Sequence, residues 1–377
     1  MAKIRKRGER YVLDFYDQHG KRQRETMKAG ATKKEAEAEL RARAEAVSKR
    51  AFLPVKRMPL FSEVAAEWLN HKRPNVRITT HEVFNGNVKN HFKELASVKI
   101  GLIDTATVEK WIARKQAEGM NINTLRKLIV TLNQIMAYSA RHGYADHNPV
   151  RDAERPREQG QEPGKEKIAV LKPDEINRLL DATEDQKYKL LFRMAVFTGA
   201  RQGELLGLKW QDIKWQDKQV HIQRTFTKGH FFDTKTKGSN RKIDLGPVLL
   251  SELRKWKLAS GKNDLDLVFC NEAGQPMNYS NMMNRHYFPA LTAAELPRIR
   301  FHDLRHTYAS LLIQQGENIK YIQNQLGHSS PTVTLNVYAH LMNSTNQEAA
   351  CRLENVVFES TGHKMVTNNE KGLQLEP

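Results

Sequence analysis

The chain has 377 residues, room for two or three domains, and its 61 Lys and Arg against 43 Asp and Glu give a formal net charge of +18. Such an excess calls for a polyanion, and DNA, RNA or an anionic membrane would serve. No apolar run nears the roughly 20 residues that span a bilayer, no apolar signal core follows the basic N-terminus, and two cysteines (Cys270, Cys351) make neither a disulfide framework nor a Cys-based zinc site.

A soluble protein of a reducing cytoplasm is therefore expected. The first fifty residues are basic. Residues 10–17 (RYVLDFYD) have the aromatic and β-branched content of a strand, and a turn at His19-Gly20 leads to residues 21–26 as its antiparallel partner. Thr32 is a good N-cap for a helix over residues 33–50, which are rich in Ala, Glu and Arg. A small sheet-plus-helix module is expected here, with a basic tail as the plainer alternative. Residues 51–60, with Pro54 and Pro59, read as a linker.

From Phe61 to about Asn148 the spacing predicts four or five helices. Phe61, Val64, Ala65, Trp68 and Leu69 mark one buried face, and Val108, Trp111, Ile112 and then Leu125, Leu128, Ile129, Leu132, Ile135, Met136 repeat it. No catalytic motif falls in this region. Residues 151–167 are polar and contain Gly160, Pro163 and Gly164, as an exposed linker would. Beyond it, Pro173, Asp174 and Glu175 open a helix, and two helical stretches flank a strand region over residues 213–245. Helices resume at Leu249 and again at His302, and the last thirty or so residues are weakly patterned.

Four local signals lie in this last domain, each ambiguous alone. In Thr198-Gly-Ala-Arg201-Gln-Gly-Glu204-Leu-Leu, a glycine-flanked arginine at a helix mouth can present its guanidinium to a phosphate, or it can simply pair with Glu204 one turn on. Residues 234–242 (TKTKGSNRK) read as a basic β-hairpin suited to a DNA groove, or as a solvated turn. In Phe301-His302-Asp-Leu-Arg305-His306-Thr, His302 and Arg305 would share a helix face; a His302–His306 metal pair has no third ligand or motif to support it. Finally, Leu326-Gly-His328-Ser-Ser is followed by Tyr338, and the intervening Thr332-Val333-Thr334 suggests a helix returning Tyr338 toward His328.

Taken in order, these motifs closely resemble the tyrosine recombinase (phage integrase) family over about residues 168–341. The layout before them is similar to lambda-type and conjugative-transposon integrases. The resemblance implies Arg201 and Arg305 as the arginines gripping the scissile phosphate, His302 and His328 as further donors, and Tyr338 as nucleophile. It implies Lys235 as the hairpin lysine that protonates the leaving 5′-oxygen, with Lys237 the alternative.

It also implies a mainly α fold: an arm-type DNA-binding sheet-plus-helix module (1–56), a helical core-binding domain (57–155), a linker (156–167), a mixed, mainly α catalytic domain with a small β-sheet or hairpin (168–345), and a C-terminal tail (346–377). Within that tail Leu353, Val356, Val357 and Phe358 would dock on a neighbouring subunit or pack in cis.

The expected partners are double-stranded attachment sites (core and arm), a homotetramer in synapsis, and DNA-bending and excision factors, on the nucleoid of a bacterial host. No cofactor or metal is expected: the fixed cations meet the charge of the transition state, and the phosphotyrosyl ester conserves the bond energy, in keeping with the absence of a nucleotide-binding P-loop. A type IB topoisomerase-like enzyme and a non-catalytic DNA-binding regulator on the same scaffold are the rival classes.

Overall fold

The structure is a computed structural model that describes residues 2–17, 21–48, 58–157, 169–234 and 237–338. Its chain divides into two compact units, residues 1–164 and 165–377. The expected tail of residues 346–377 and most of the 156–167 linker lie outside the described residues.

The first unit opens with a three-stranded antiparallel sheet, β1 (Lys3–Arg7), β2 (Arg10–Tyr16) and β3 (Arg22–Thr26), and a helix, α1 (Lys33–Ser48). Strand β1 was not foreseen. Its sequence, KIRKR, has a single apolar residue, as befits a charged edge strand, and only pairing with β2 makes it regular. Leu13 and Phe15 on β2 alternate toward the helix and bury against Ala36, with Ile4, Tyr11 and Leu40 around them. On the opposite face Asp14 accepts two bonds from Arg22, at 2.7 and 2.6 Å, with Arg5 and Arg24 each 3.7 Å away. The Arg22 bond holds the Asp14 carboxyl below its usual range. Helix α1 starts in a reciprocal capping box, Thr32 N donating to Glu35 at 2.7 Å and Glu35 N to Thr32 Oγ1 at 3.3 Å.

Four α-helices follow: α2 (Phe61–Lys72), α3 (Ile78–His91), α4 (Thr105–Ala117) and α5 (Ile122–Arg141). All three apolar stripes read from the sequence are buried, with Trp68, Leu125, Leu132, Ile135 and Met136 fully so. Each such side chain contributes about 1.5–3 kcal/mol through burial. Asp104 caps α4 through Thr107 N at 2.8 Å, and Asn121 caps α5.

The second unit begins with α6 (Pro173–Asp181), α7 (Gln186–Thr198) and the five-residue α8 (Gln202–Leu206). Strands β4 (Ile213–Lys214), β5 (Gln219–Ile222) and β8 (Arg241–Asp244) form one antiparallel sheet in the order β4-β5-β8, while β6 (Arg224–Thr227) and β7 (His230–Asp233) form another. The hairpin therefore lies at 224–233, not at 234–242. Lys228 and Gly229, both at positive φ (48° and 80°), make the two-residue turn that suits a twisted hairpin. Residues 234–242 instead carry the chain from β7 to β8, which pairs with β5; their described part includes a 3₁₀ turn, Lys237–Ser239.

Next come α9 (Pro247–Ala259), α10 (Tyr279–Met282), a π-helical turn (Met283–Tyr287) and α11 (Phe288–Ala293), then α12 (Asp303–Gln314), α13 (Ile319–Leu326) and α14 (Pro331–Tyr338). The core of this unit gathers Leu191, Phe192, Val196, Tyr287 and Leu304, with Phe192 and Phe301 both edge-on to Tyr287 at 5.2 and 5.4 Å. His302 is the residue preceding α12 rather than a member of it, so it shares the helix mouth with Arg305, not a helix face.

Candidate active site

Three chain turns build the site. At the first, α7 ends on Gly199 in the left-handed conformation (φ 57°), and a Cβ there would lie 2.5 Å from Tyr308 and 3.0 Å from Leu326. Only glycine both adopts that φ without strain and admits that approach. The chain then reverses so that Arg201 stands at the mouth of α8. Glu204 receives Arg201 twice, from the backbone N at 2.7 Å and from Nη1 at 2.9 Å. The ion pair with Glu204 is thus formed, while the Arg201 side chain stays 38% exposed and Glu204 is buried.

At the second turn, Arg305 projects from the first turn of α12 and is 3% exposed. It donates to Gly199 O at 2.7 Å and to Leu326 O at 2.6 Å, joining the first turn to the third. His302 lies at the surface beside it, with the His306 ring edge-on at 5.1 Å. At the third turn, α13 ends on Gly327, also left-handed (φ 66°), and His328 follows. His328 Nδ1 meets the buried Thr334 Oγ1 of α14 at 2.9 Å, so this histidine fixes the start of the helix that ends at Tyr338. Arg201 Nη2 reaches Gly327 O at 3.5 Å.

Arg201, His302, Arg305 and His328 are thereby brought together. Partial desolvation, then the Arg305 and Arg201 guanidinia, lower the His302 pKa. Burial and the same two cations push His328 down to about 4, and burial and His302 push His306 down to about 4. The imidazoles are neutral at pH 7 beside permanently charged guanidinia, a combination that can bind an oxyanion and still accept a proton. Lys235 lies outside the described residues. So does the side chain of Tyr338, although its backbone closes α14. Among the described residues no group of three or more His, Cys, Asp or Glu gathers as a metal site.

Two residues escaped the sequence reading as parts of the site. Glu204 entered only as a possible surface partner, and Arg241 only as one more charge in a basic segment. The alternation of β8 was a usable signal, because Arg241 shares an inward face with the buried Ile243.

The depressed histidines make stability depend on pH. An unfolded histidine titrates near about 6.5, whereas His306 and His328 in the fold titrate near 4. Between these values the unfolded chain takes up protons that the native state refuses, so stability should fall as pH drops from about 6.5 to about 4 and lose nothing further to these groups below that. Calorimetric melting across this window should show the decline, and His306→Asn should flatten it. An equally steep decline in that variant would assign the effect to other groups.

Two guanidinia and two imidazoles thus gather around the end of one helix, and comparison with known proteins says to which class the chain belongs. Residues 169–345 match the phage integrase family and residues 61–155 the phage integrase central domain. The chain is 30% identical over 291 residues to a tyrosine recombinase XerC-like protein of Caldanaerobacter subterraneus subsp. tengcongensis, covering 69% of this chain and 73% of that one. It is 27% identical to the ICEBs1 integrase of Bacillus subtilis over 88% of this chain and 92% of that one. In fold it is similar to the Tn1549 transposon integrase bound to circular intermediate DNA (TM-score 0.62, 22% identity, 78% of this chain and 99% of that one). It is also similar to a lambda integrase tetramer bound to a Holliday junction (TM-score 0.57, 20% identity, 87% and 96%). The chain belongs to the tyrosine recombinase (phage integrase) family and is a site-specific DNA recombinase. No helix among its described residues is long and apolar enough to cross a membrane.

Proposed function

We propose that this recombinase integrates and excises a mobile element, such as a prophage, at double-stranded attachment sites. The observation that carries the reading is the convergence of Arg201 and Arg305, through Gly327 O and Leu326 O, on the turn that holds His328. A scissile phosphate seated there would meet two forked cations at its non-bridging oxygens, with His302 and His328 donating beside them. Tyr338 Oη attacks phosphorus, loses its proton to the site and forms a 3′-phosphotyrosyl ester. The departing 5′-oxygen takes a proton from Lys235. The free 5′-hydroxyl of the partner strand then attacks the ester and releases Tyr338. One pair of exchanges gives a Holliday junction and a second pair resolves it, with four subunits in the synapse and bending and excision factors setting direction.

The acid role has a direct test. If sulfur replaces the bridging 5′-oxygen, the leaving thiolate needs no proton. Lys235→Ala should be strongly impaired on ordinary DNA and recover much of its cleavage rate on the sulfur substrate. Lys237→Ala should show a milder, salt-sensitive loss that sulfur leaves uncorrected, as for a backbone contact. Recovery of Lys237→Ala alone would reverse the assignment.

The N-terminal module, residues 1–56, is proposed to bind arm sites apart from the crossover, its basic strands meeting phosphates. Its deletion should leave core-site cleavage largely intact and abolish integration that depends on arm sites. Full integration by the truncated protein would remove that role.

A further inference from the structure

Four consecutive carbonyls at the end of α13 each accept from a different side chain. Gln325 O takes Arg241 Nε at 2.6 Å, Leu326 O takes Arg305 at 2.6 Å, Gly327 O takes Arg201 at 3.5 Å, and His328 O takes Gln323 at 3.0 Å. A helix C-terminus leaves its last carbonyls without intrahelical donors and carries the negative end of the dipole, so cations gather there. Two of the three arginines are the proposed phosphate-gripping pair. The third, Arg241, is placed differently.

Arg241 is buried, and most of its guanidinium is engaged. Beyond Gln325 O, it spans both oxygens of the buried Glu204, Nη1 to Oε1 at 3.1 Å and Nη2 to Oε2 at 3.0 Å, and Nη1 also reaches Ser239 O at 3.3 Å. Four of its five N–H donors are thus held inside the protein. It opens β8, directly after the segment that contains Lys235, and it packs under the His328 turn: a Cβ on Gly327 would lie 2.7 Å from Gly238 O and 2.8 Å from Arg241 Cδ.

We propose that Arg241 is a positioning residue of the recombination reaction, which clamps Glu204 and the end of α13 so that Arg201 keeps its charge for the scissile phosphate. The proposal rests on the reading of Arg201 as a phosphate-gripping group. Its physical basis is competition. Glu204 and the phosphate both want Arg201, and a carboxylate already chelated by a second guanidinium pulls on Arg201 far less than a bare one. Without Arg241, Arg201 becomes the remaining cationic partner of Glu204 among the described residues, and the reacting phosphate loses a cation. Burial alone would raise the Glu204 pKa, yet the charges and hydrogen bonds of Arg241 and Arg201 together outweigh it and hold the carboxyl below its ordinary value.

A merely structural arginine and a charge-positioning one differ in what repairs their loss. If a methyl group replaces one non-bridging oxygen of the scissile phosphate, the neutral methylphosphonate no longer needs the full cationic grip. Single-turnover cleavage would be followed with the full-length chain on a nicked duplex of the attachment-site core, carrying either the phosphate or the methylphosphonate. Arg241→Met should be slowed about 100-fold on the phosphate and less than about 10-fold on the methylphosphonate, in parallel with Arg201→Ala. Arg241→Lys keeps a cation opposite Glu204, and hence the fold, but one ammonium cannot bridge both carboxylate oxygens and Gln325 O. It should lose about 10-fold on the phosphate, again recovered on the methylphosphonate.

Equal losses on both substrates in the Arg241 variants, with Arg201→Ala recovered, would overturn the inference and leave the site assignment standing. A wild-type rate in Arg241→Lys would overturn it too. Failure of Arg201→Ala to recover would remove both readings together.

Discussion

Tyr338→Phe should bind attachment-site DNA as the wild type does and form no covalent protein–DNA complex, a loss of about 10⁴-fold or more in cleavage. The measurement is a denaturing gel of protein incubated with a nicked core site, on which wild-type chain is trapped as a 3′-phosphotyrosyl adduct. The proposed nucleophile differs from the neighbouring tyrosines in setting. Tyr308 is buried against Gly199 and its phenol is held far above the usual range, chiefly by burial. Tyr321 donates to Asp244 at 2.9 Å and is pushed up to about 12. Neither is placed to become a phenolate. Tyr338 instead closes the helix whose Thr334 is tied to His328. A persistent adduct in Tyr338→Phe would move the nucleophile to another residue.

Arg305→Ala should lose about 10³-fold in cleavage, roughly 4 kcal/mol of transition-state stabilisation, on ordinary and bridging-sulfur substrates alike. In the proposed role, the charge it offsets develops on the non-bridging oxygens, so making the leaving group better does not replace it. Arg305 has a second duty that Arg201 lacks. It joins Gly199 O to Leu326 O from a buried position, so truncation strips two carbonyls of this donor at about 1–3 kcal/mol each. The melting temperature of Arg305→Ala should therefore fall by several degrees, while that of Arg201→Ala, a half-exposed side chain, should move less. Arg305→Lys keeps the charge without the fork and should restore little of either. Recovery of Arg305→Ala on the sulfur substrate would place its charge at the leaving oxygen instead.

Much of this protein was legible from its sequence because the relevant signals are local. The stripes at Phe61–Leu69, Val108–Ile112 and Leu125–Met136 are set by residues three and four apart, and all are buried where the periodicity placed them. The net charge announced a polyanion, and the ordered motifs around Arg201, Arg305, His328 and Tyr338 announced the family. Arg201 and Arg305 do meet around one helix end, although 104 positions separate them, because the left-handed turns at Gly199 and Gly327 bring the chain round.

What only the tertiary structure decided depends on partners distant in the chain. No local pattern tells β8 to pair with β5 rather than β7, and that choice turned an expected hairpin at 234–242 into a connection between two sheets. Strand β1 is regular only because β2 completes its hydrogen bonds. Arg241 looked like one more solvated charge until its partners appeared: Glu204, 37 residues away, and Gln325, 84 residues away. A charge read in sequence is exposed by default, since burying it without a partner costs several kcal/mol. Whether the partner exists is settled by how the whole chain closes. Local periodicity therefore fixed the helices of the first unit, while the pairing of strands and the buried Arg241–Glu204 contact, which joins β8 to the mouth of α8, came from the fold.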